Sequence, residues 1–345
     1  MPLTDAVSRA IGALAERRNL PASLAAQAFG QVMAGEATPV QTAALLMGLR
    51  VKGETAAELE GAALALRGEM VRVDAGAPER LVDTCGTGGG SIGTFNISTA
   101  AALVAAGAGA RVVKHGNRSF TSRSGSADLL EALGVKIEIE PARAVAVLER
   151  CGMTFLFAPL FHPAMRHAGP VRRELGLSTI MNLLGPLANP AGATRQVIGV
   201  ADPARAALLA DTLALLGAER ALVVHAPAGL DEVAPPGVGD TDVYEVSRGT
   251  VKRWTLEVGR FGLPAGDAAE LAGGSPEDNA RTVTAILSGG DRSVRRSAVV
   301  INAAAALIAA GVVERWEAAV ERAGESLDSG AAGAVLERLR VESRG

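Results

Sequence analysis

LVDTCG (81–86) runs straight into TGGGSIGTFNIST (87–99) and then into the small-residue run AAALVAAGAGA (100–110). An apolar hexamer that stops at glycine reads as a strand, and a run of small residues behind a hydroxyl-rich start reads as a helix. Between them, five glycines fall within positions 86–93. A glycine-rich turn from strand to helix leaves backbone N–H groups unpaired and points a helix dipole at them, so it suits an anion. Asn96, Ser98 and Thr99 add side-chain oxygens for a phosphate or for the shell of a metal. A tight turn with no ligand is the plain alternative.

Working outward, RVVKHG (111–116) is a second apolar run that ends in glycine. FLFAP (155–159), RQVIGV (195–200) and ALVVHA (221–226) are further strand candidates, and KIEIE (136–140) alternates as a half-buried strand does. Helical patterns such as ADLLEALG and PARAALLADTLALLG lie between them. Strands alternating with helices predict an α/β domain with a mostly parallel central sheet, which binds ligands at the carboxyl ends of its strands. Residues 1–72 carry no strand signal and read as a small N-terminal all-helical domain. Two capping boxes, Thr38-Pro39-Val40-Gln41 and Thr55-Ala56-Ala57-Glu58, fit there. The large α/β domain covers 73–345. Within it, 162–190 is broken by Pro and Gly, and part of that stretch is expected to join the helical domain in space. Ser275-Pro276-Glu277 opens a helical tail. AVVINAAAALIAAGVV (298–313) is 16 residues long and interrupted by Asn302. A membrane span needs about 20, so this run reads as a buried helix.

The chain has 345 residues, enough for two domains. A net charge of −3 supplies no basic field for nucleic acid or a membrane, and 3% aromatic residues supply no stacking platform for single strands. Neither partner is expected. Cys85 and Cys151 make no disulfide framework and no zinc spacing, which fits a reducing, cytoplasmic setting. Asp5, Arg9 and Glu16 interrupt any signal-peptide core.

Three more stretches carry candidate chemistry. KHGNRSFTSRSGSADLLEALG (114–134) sets Lys114 at a strand end and follows it with arginines and serines, a composition for a multiply charged anion. It also reads as a polar loop in which Ser126 caps the helix ADLLEA. GLDEV (229–233) follows the strand ALVVHA, and on a turn its two acids can hold Mg2+ or stay solvated on the surface. HPAMRH (162–167), with Arg172 and Arg173 behind it, has the wrong spacing for a helical zinc pair, but its arginines can hold a carboxylate. Gly88-x-Gly90-x-x-Gly93 matches the dinucleotide fingerprint only as a string, because no acid follows at the end of the next strand. No P-loop lysine, nucleophile elbow or His-Glu-x-x-His is present.

Two anion loops, an acid pair and no protein nucleophile suggest transfer of a group from a polyphosphate ester. Together GTGG…TFNIST (86–99), KHGNR…SGSADLLEALG (114–134), FHPAMRHAGPVRRELGLSTIMNLLGPLANPAG (161–192) and GLDE (229–232) closely resemble the anthranilate phosphoribosyltransferases. The resemblance runs through most of the α/β region, and the flanking helices fit in kind. It implies attack of the anthranilate amine on C1 of phosphoribosyl pyrophosphate (PRPP), with pyrophosphate leaving, in a cleft between the two domains of a homodimer formed through the helical domain. It implies that Gly86, Thr87, Gly88, Gly89, Thr94, Asn96, Ser98, Thr99, Lys114, His115, Gly116, Asn117, Ser122 and Ser126 hold PRPP. Ser98, Asp231 and Glu232 hold Mg2+, two ions per monomer. Gly86, His115, Asn117, His162, Met165, Arg172 and Gly185 form the anthranilate site, with Arg172 on the carboxylate. No residue acts as nucleophile.

One position departs from that pattern. The family's loop usually reads GTGGD, and this chain has Gly90 where the acid stands. The expected consequence is altered Mg2+ dependence rather than loss of activity. Two other readings are open to the same motifs. A pyrimidine nucleoside phosphorylase carries an SGRGLG-like stretch where this chain has SRSGSADLLEALG, and a silent nucleic-acid-binding paralogue should be basic, with damaged motifs.

Overall fold

The computed structural model of the chain describes residues 5–88, 90, 92–119 and 123–345. Helices α1 (Ala6–Ala15), α2 (Ala22–Ala34), α3 (Pro39–Lys52) and α4 (Ala56–Gly68) form the N-terminal bundle. Their starts follow local chemistry. Asp5 accepts the Ser8 N–H ahead of α1, and the boxes at Thr38 and Thr55 both close, with Pro39 in the first turn of α3.

The chain then alternates. The order is β1 (Leu81–Gly86), α5 (Ile97–Gly107), β2 (Arg111–Gly116), α6 (Ser126–Ala132), α7 (Pro141–Cys151), β3 (Met153–Phe157), α8 (Ala158–Phe161), α9 (Met165–Leu175) and α10 (Met181–Leu187). It continues with β4 (Arg195–Gly199), α11 (Pro203–Leu215), β5 (Arg220–His225), β6 (Thr241–Ser247) and β7 (Thr250–Leu256). Four helices end it: α12 (Pro276–Leu287), α13 (Val294–Ala310), α14 (Trp316–Asp328) and α15 (Ala331–Glu342). The seven strands form one sheet in the order β3-β2-β1-β4-β5-β6-β7. Neighbours from β3 to β5 are parallel, while β6 and β7 are antiparallel. Strand order reverses between β1 and β4, and such a switch point opens a crevice at the strand ends.

Alternate residues of β4 and β5 feed two different cores. Val197, Leu222 and Val224 pack with α5, α13, α14 and α15 on one face. Ile198, Ala221 and Val223 pack on the other with α11, α9, α10 and the N-terminal bundle. Nearly every residue of α13 is buried, as its apolar run predicts.

Three expectations need correction. KIEIE (136–140) forms no strand: Ile137 and Ile139 are buried and Glu138 is exposed, but the Lys136 N–H bonds the Ser343 hydroxyl and no neighbouring strand pairs with the segment. Its alternation reports which side chains face the core, not a place in a sheet. The strand expected at 155–159 lies at Met153–Phe157, because Pro159 sits in the first turn of α8. The β6–β7 hairpin was not among the expected strands. Its two-residue turn, Arg248-Gly249, has φ of 45° and 84°, the left-handed pair that a tight hairpin demands.

Candidate active site

The site is built where β1 and β4 end. Both strands stop at glycine, and Gly86 pairs with Gly199 in register. A Cβ on either would collide with Asp231: on Gly86 with its carboxylate, on Gly199 with its carbonyl. The acid turn that follows β5 therefore lies directly on these two strand ends, and only glycine permits the approach. The Thr87 N–H donates to the Gly199 carbonyl at 2.9 Å, and the Gly88 N–H to Asp231 Oδ2 at 3.1 Å. Gly88 sits in the left-handed region, with φ of 67°, which favours glycine.

Asp231 and Glu232 are not solvated surface acids. Glu232 is buried; Oε1 accepts the Thr94 hydroxyl at 2.7 Å, and Oε2 has no partner among the described residues. Burial pushes both carboxyl pKa values up, and the charge of Asp231 pushes Glu232 further. Ser98, Thr84, Cys85 and Asn302 line one small cavity with this pair. An orphaned carboxylate oxygen beside a second acid and a hydroxyl is an all-oxygen set that fits a hard divalent cation. Burial pushes the Cys85 thiol pKa well up, which disfavours its thiolate.

Lys114, at the end of β2, is almost fully buried. Its Nζ donates to the Thr84 carbonyl and lies 3.4 Å from Ser98 Oγ. Burial lowers its pKa and the nearby Asp83 raises it. Asp83 itself, wholly buried in β1, is pushed up to about 6 by burial. It accepts the His115 N–H at 3.2 Å and the Asn189 amide at 2.8 Å.

Asn96 precedes α5 in the left-handed region, with φ of 65°. Its Oδ1 accepts from Ser124 Oγ and Asn279 Nδ2, and its Nδ2 donates to the Ser124 carbonyl. The side chain thus ties three segments together rather than standing free for a phosphate. Thr99 Oγ1 is buried with no partner among the described residues. Ser126 is the first residue of α6, not its cap: the Gly125 N–H is held by Asp128, and Ser126 Oγ donates to the Asn117 carbonyl. A Cβ on Gly116 would strike Ser126 Oγ, so strand end and helix start are in contact there. Gly89 and Ser122 lie outside the described residues.

Near the end of β2, His115 Nδ1 is 3.2 Å from the Gly185 carbonyl, and its ring centroid lies 4.9 Å from that of His162. Burial pulls His115 down to about 3 and His162 to about 4, so both rings are neutral near pH 7. The Met165 N–H donates to the His162 carbonyl at 3.0 Å, which ties the start of α9 to this pair. Arg172, further along α9, is half-buried; its side chain makes no hydrogen bond or ion pair among the described residues, and burial lowers its pKa. Among the described residues no hydrogen bond joins it to His115 or His162. Asp83, Asn189, Asn279, Asn302 and Gly199 were missed as site residues; Asn302 alone stood out, as a polar break in an apolar run.

Residues 8–70 match the family model described as "Glycosyl transferase family, helical bundle domain", and residues 78–333 match "Glycosyl transferase family, a/b domain". An anthranilate phosphoribosyltransferase from Roseiflexus castenholzii is 49% identical over 340 residues, 98% of each chain. The crystal structure of the Thermus thermophilus anthranilate phosphoribosyltransferase superposes with a TM-score of 0.91 at 43% identity, covering 99% of this chain and 100% of that one. The Saccharomyces cerevisiae enzyme in complex with PRPP and Mg superposes at 0.89 with 28% identity, covering 98% of both chains. By full-length similarity on these terms, the chain belongs to the anthranilate phosphoribosyltransferase family.

Proposed function

We propose that the chain transfers the 5-phosphoribosyl group of PRPP to the amine of anthranilate, giving N-(5-phosphoribosyl)anthranilate and pyrophosphate, the second step of tryptophan biosynthesis. The observation that carries the reading is the docking of Asp231 and the buried Glu232 on the glycine loop at the switch point of the sheet.

Ser98, Asp231 and Glu232 would hold Mg2+, two ions per monomer. When bound, the metal neutralises charge on the pyrophosphate. The loop from Gly86 to Gly89, with Lys114, Thr94, Ser98 and Thr99, would receive PRPP, and His115, Gly116, Asn117, Ser122 and Ser126 would complete its site. Asn96 acts by holding the loops around it. The acceptor lies against Gly86, His115, Asn117, His162, Met165 and Gly185, with its carboxylate on Arg172, whose lack of a protein partner supports that role. Loss of pyrophosphate leaves an electron-poor ribosyl carbon, so catalysis is alignment plus stabilisation of leaving charge. The neutral aromatic amine needs no general base, and its proton leaves afterwards to solvent or pyrophosphate.

We divide the chain into a helical domain, 1–72 joined by part of 162–190, and an α/β domain, 73–345. Packing of α9 on α2 and α3, and of α10 on α4, supports this. We also propose a homodimer through the helical domain, supported by Val40 and Val51 of α3, which stand 79% and 73% exposed. A cytoplasmic location accords with two free thiols. No helix among the described residues is long and apolar enough to cross a membrane.

The decisive assay mixes protein, PRPP, anthranilate and Mg2+ and follows anthranilate fluorescence, with and without EDTA. Loss that requires both PRPP and metal is expected. No loss in a folded protein that binds PRPP removes the anthranilate assignment, and no PRPP binding removes the transferase reading altogether.

A further inference from the structure

Asn302 sits in the middle of α13, in a stretch where every neighbour from Ala298 to Ala309 is apolar and buried. An amide there is a poor helix former and is expensive to desolvate unless all its hydrogen bonds are made. They are made, and not to solvent. Oδ1 accepts the Val233 N–H at 2.9 Å. Nδ2 donates to the Val233 carbonyl at 2.8 Å and to the Ala298 carbonyl, one turn earlier in α13, at 2.8 Å. Both polar groups of one peptide residue are taken by one side-chain amide, an arrangement that needs a donor and an acceptor side by side. Val233 is the residue next to Glu232.

The helix that carries Asn302 also packs along α5, which starts with Ile97-Ser98, and against β1, β4 and β5. Asn302 therefore clamps the acid turn to the same frame that holds Ser98 and the glycine loop. The turn is also tied by the Ala226–Leu230 bridge before the acids, by the Gly88 and Thr94 bonds to the acids themselves, and by the Ala234 N–H to Thr241 Oγ1 bond after them, but of all these ties only that of Asn302 comes from α13.

We infer that Asn302 is a positioning residue for the cation site: it fixes the spacing between the Asp231–Glu232 carboxylates and Ser98. It touches no substrate in this role, and the inference rests on the reading of the two acids as metal ligands. Residues behind a metal ligand typically govern affinity or activity by about 10- to 100-fold.

The test measures Mn2+ binding in the presence of pyrophosphate, by electron paramagnetic resonance or calorimetry. The parent is compared with Asn302→Leu, which removes all three bonds at similar volume, and Asn302→Gln, which keeps the amide one methylene too far along. Ile301→Val, a buried neighbour with no polar role, reports general loosening of α13. Melting of each metal-free protein is recorded alongside. The expected result is Mn2+ binding about 10-fold weaker or more in both Asn302 variants and unchanged in Ile301→Val. Should Asn302→Leu not fold, Asn302→Gln carries the same expectation. Parent-like Mn2+ affinity in a folded Asn302 variant overturns the role while leaving the acid pair as ligands. Absence of Mn2+ binding in the parent overturns the reading of the acid pair and this role with it.

Discussion

The carboxylate of Asp231 accepts the N–H of Gly88 at 3.1 Å across 143 residues of sequence. The acid turn and the glycine loop are thus joined within the protein itself. The loop is shaped by a negative charge supplied by the protein itself. A phosphate entering the same loop meets that charge, and a cation bound to the acids would relieve the conflict.

The acids hold function at the expense of stability. Both carboxyl pKa values are raised by burial, Glu232 also by Asp231, so the folded state resists their ionisation. A carboxyl whose folded pKa exceeds its unfolded one gains stability as pH falls through the folded value. In EDTA near pH 8, Glu232→Gln should melt at or above the parent, and the difference should shrink as pH falls and the parent's acid protonates. Its metal-dependent kcat/KM should drop by roughly 100-fold or more. A variant that melts well below the parent in EDTA would contradict this account.

Glycine at the strand ends is required by contact rather than by turn geometry. Gly199→Ala drives a Cβ into the Asp231 carbonyl and should displace the acid turn, lowering kcat/KM by roughly 100-fold. Gly30→Ala, in α2 with open space around it, should instead stabilise by about 0.5–1 kcal/mol. Kinetics and melting of the two variants check the contrast. Gly90→Asp falls between them: its Cβ would stand 2.7 Å from the Gly229 carbonyl and 3.4 Å from Asp231 Oδ1. A third carboxylate there should shift the Mg2+ titration by roughly threefold or more. Superimposable titrations would refute that.

The histidine pair makes an acid-side prediction. His162 falls from 6.5 to about 4 on folding, an effect on the order of 3 kcal/mol. The unfolded chain binds the extra proton between those values, so this stability is full above pH 6.5 and is lost as pH falls toward 4. His115, lowered to about 3, acts the same way. Denaturant unfolding at a series of pH values should show a shallower acid loss in His162→Asn. Since neither ring titrates near neutrality, kcat between pH 6 and 8 should show no inflection that a histidine substitution removes.

Arg172→Ala should raise KM for anthranilate by roughly 10- to 100-fold, the worth of a charged hydrogen-bonded pair, while KM for PRPP stays near the parent value. Steady-state kinetics with each substrate varied decide this. An equal rise in both would place Arg172 on the phosphate side or in the scaffold.

Much of this molecule is written locally. LVDTCG, RVVKHG and RQVIGV are strands because each is a short apolar run that glycine stops. Thr38, Thr55 and Ser275 start helices because their hydroxyls reach the first free N–H groups. The glycine loop, the acid pair and the lysine were likewise legible as candidates, since residue type alone limits what such groups can do. Three things were not. Alternation in KIEIE tells in from out but names no partner strand. Seating of Asp231 on Gly86, Gly88 and Gly199 depends on strand order, which the crossovers set and no periodicity encodes. Engagement of Asn96 by Asn279, and of Val233 by Asn302, joins residues 183 and 69 positions apart. The sequence alone determined which elements form and which side chains carry charge or hydroxyls, because those follow from covalent geometry and local burial. Tertiary packing alone decided which of them meet and in what ionisation state, because burial and neighbouring charge exist only once distant segments close on one another.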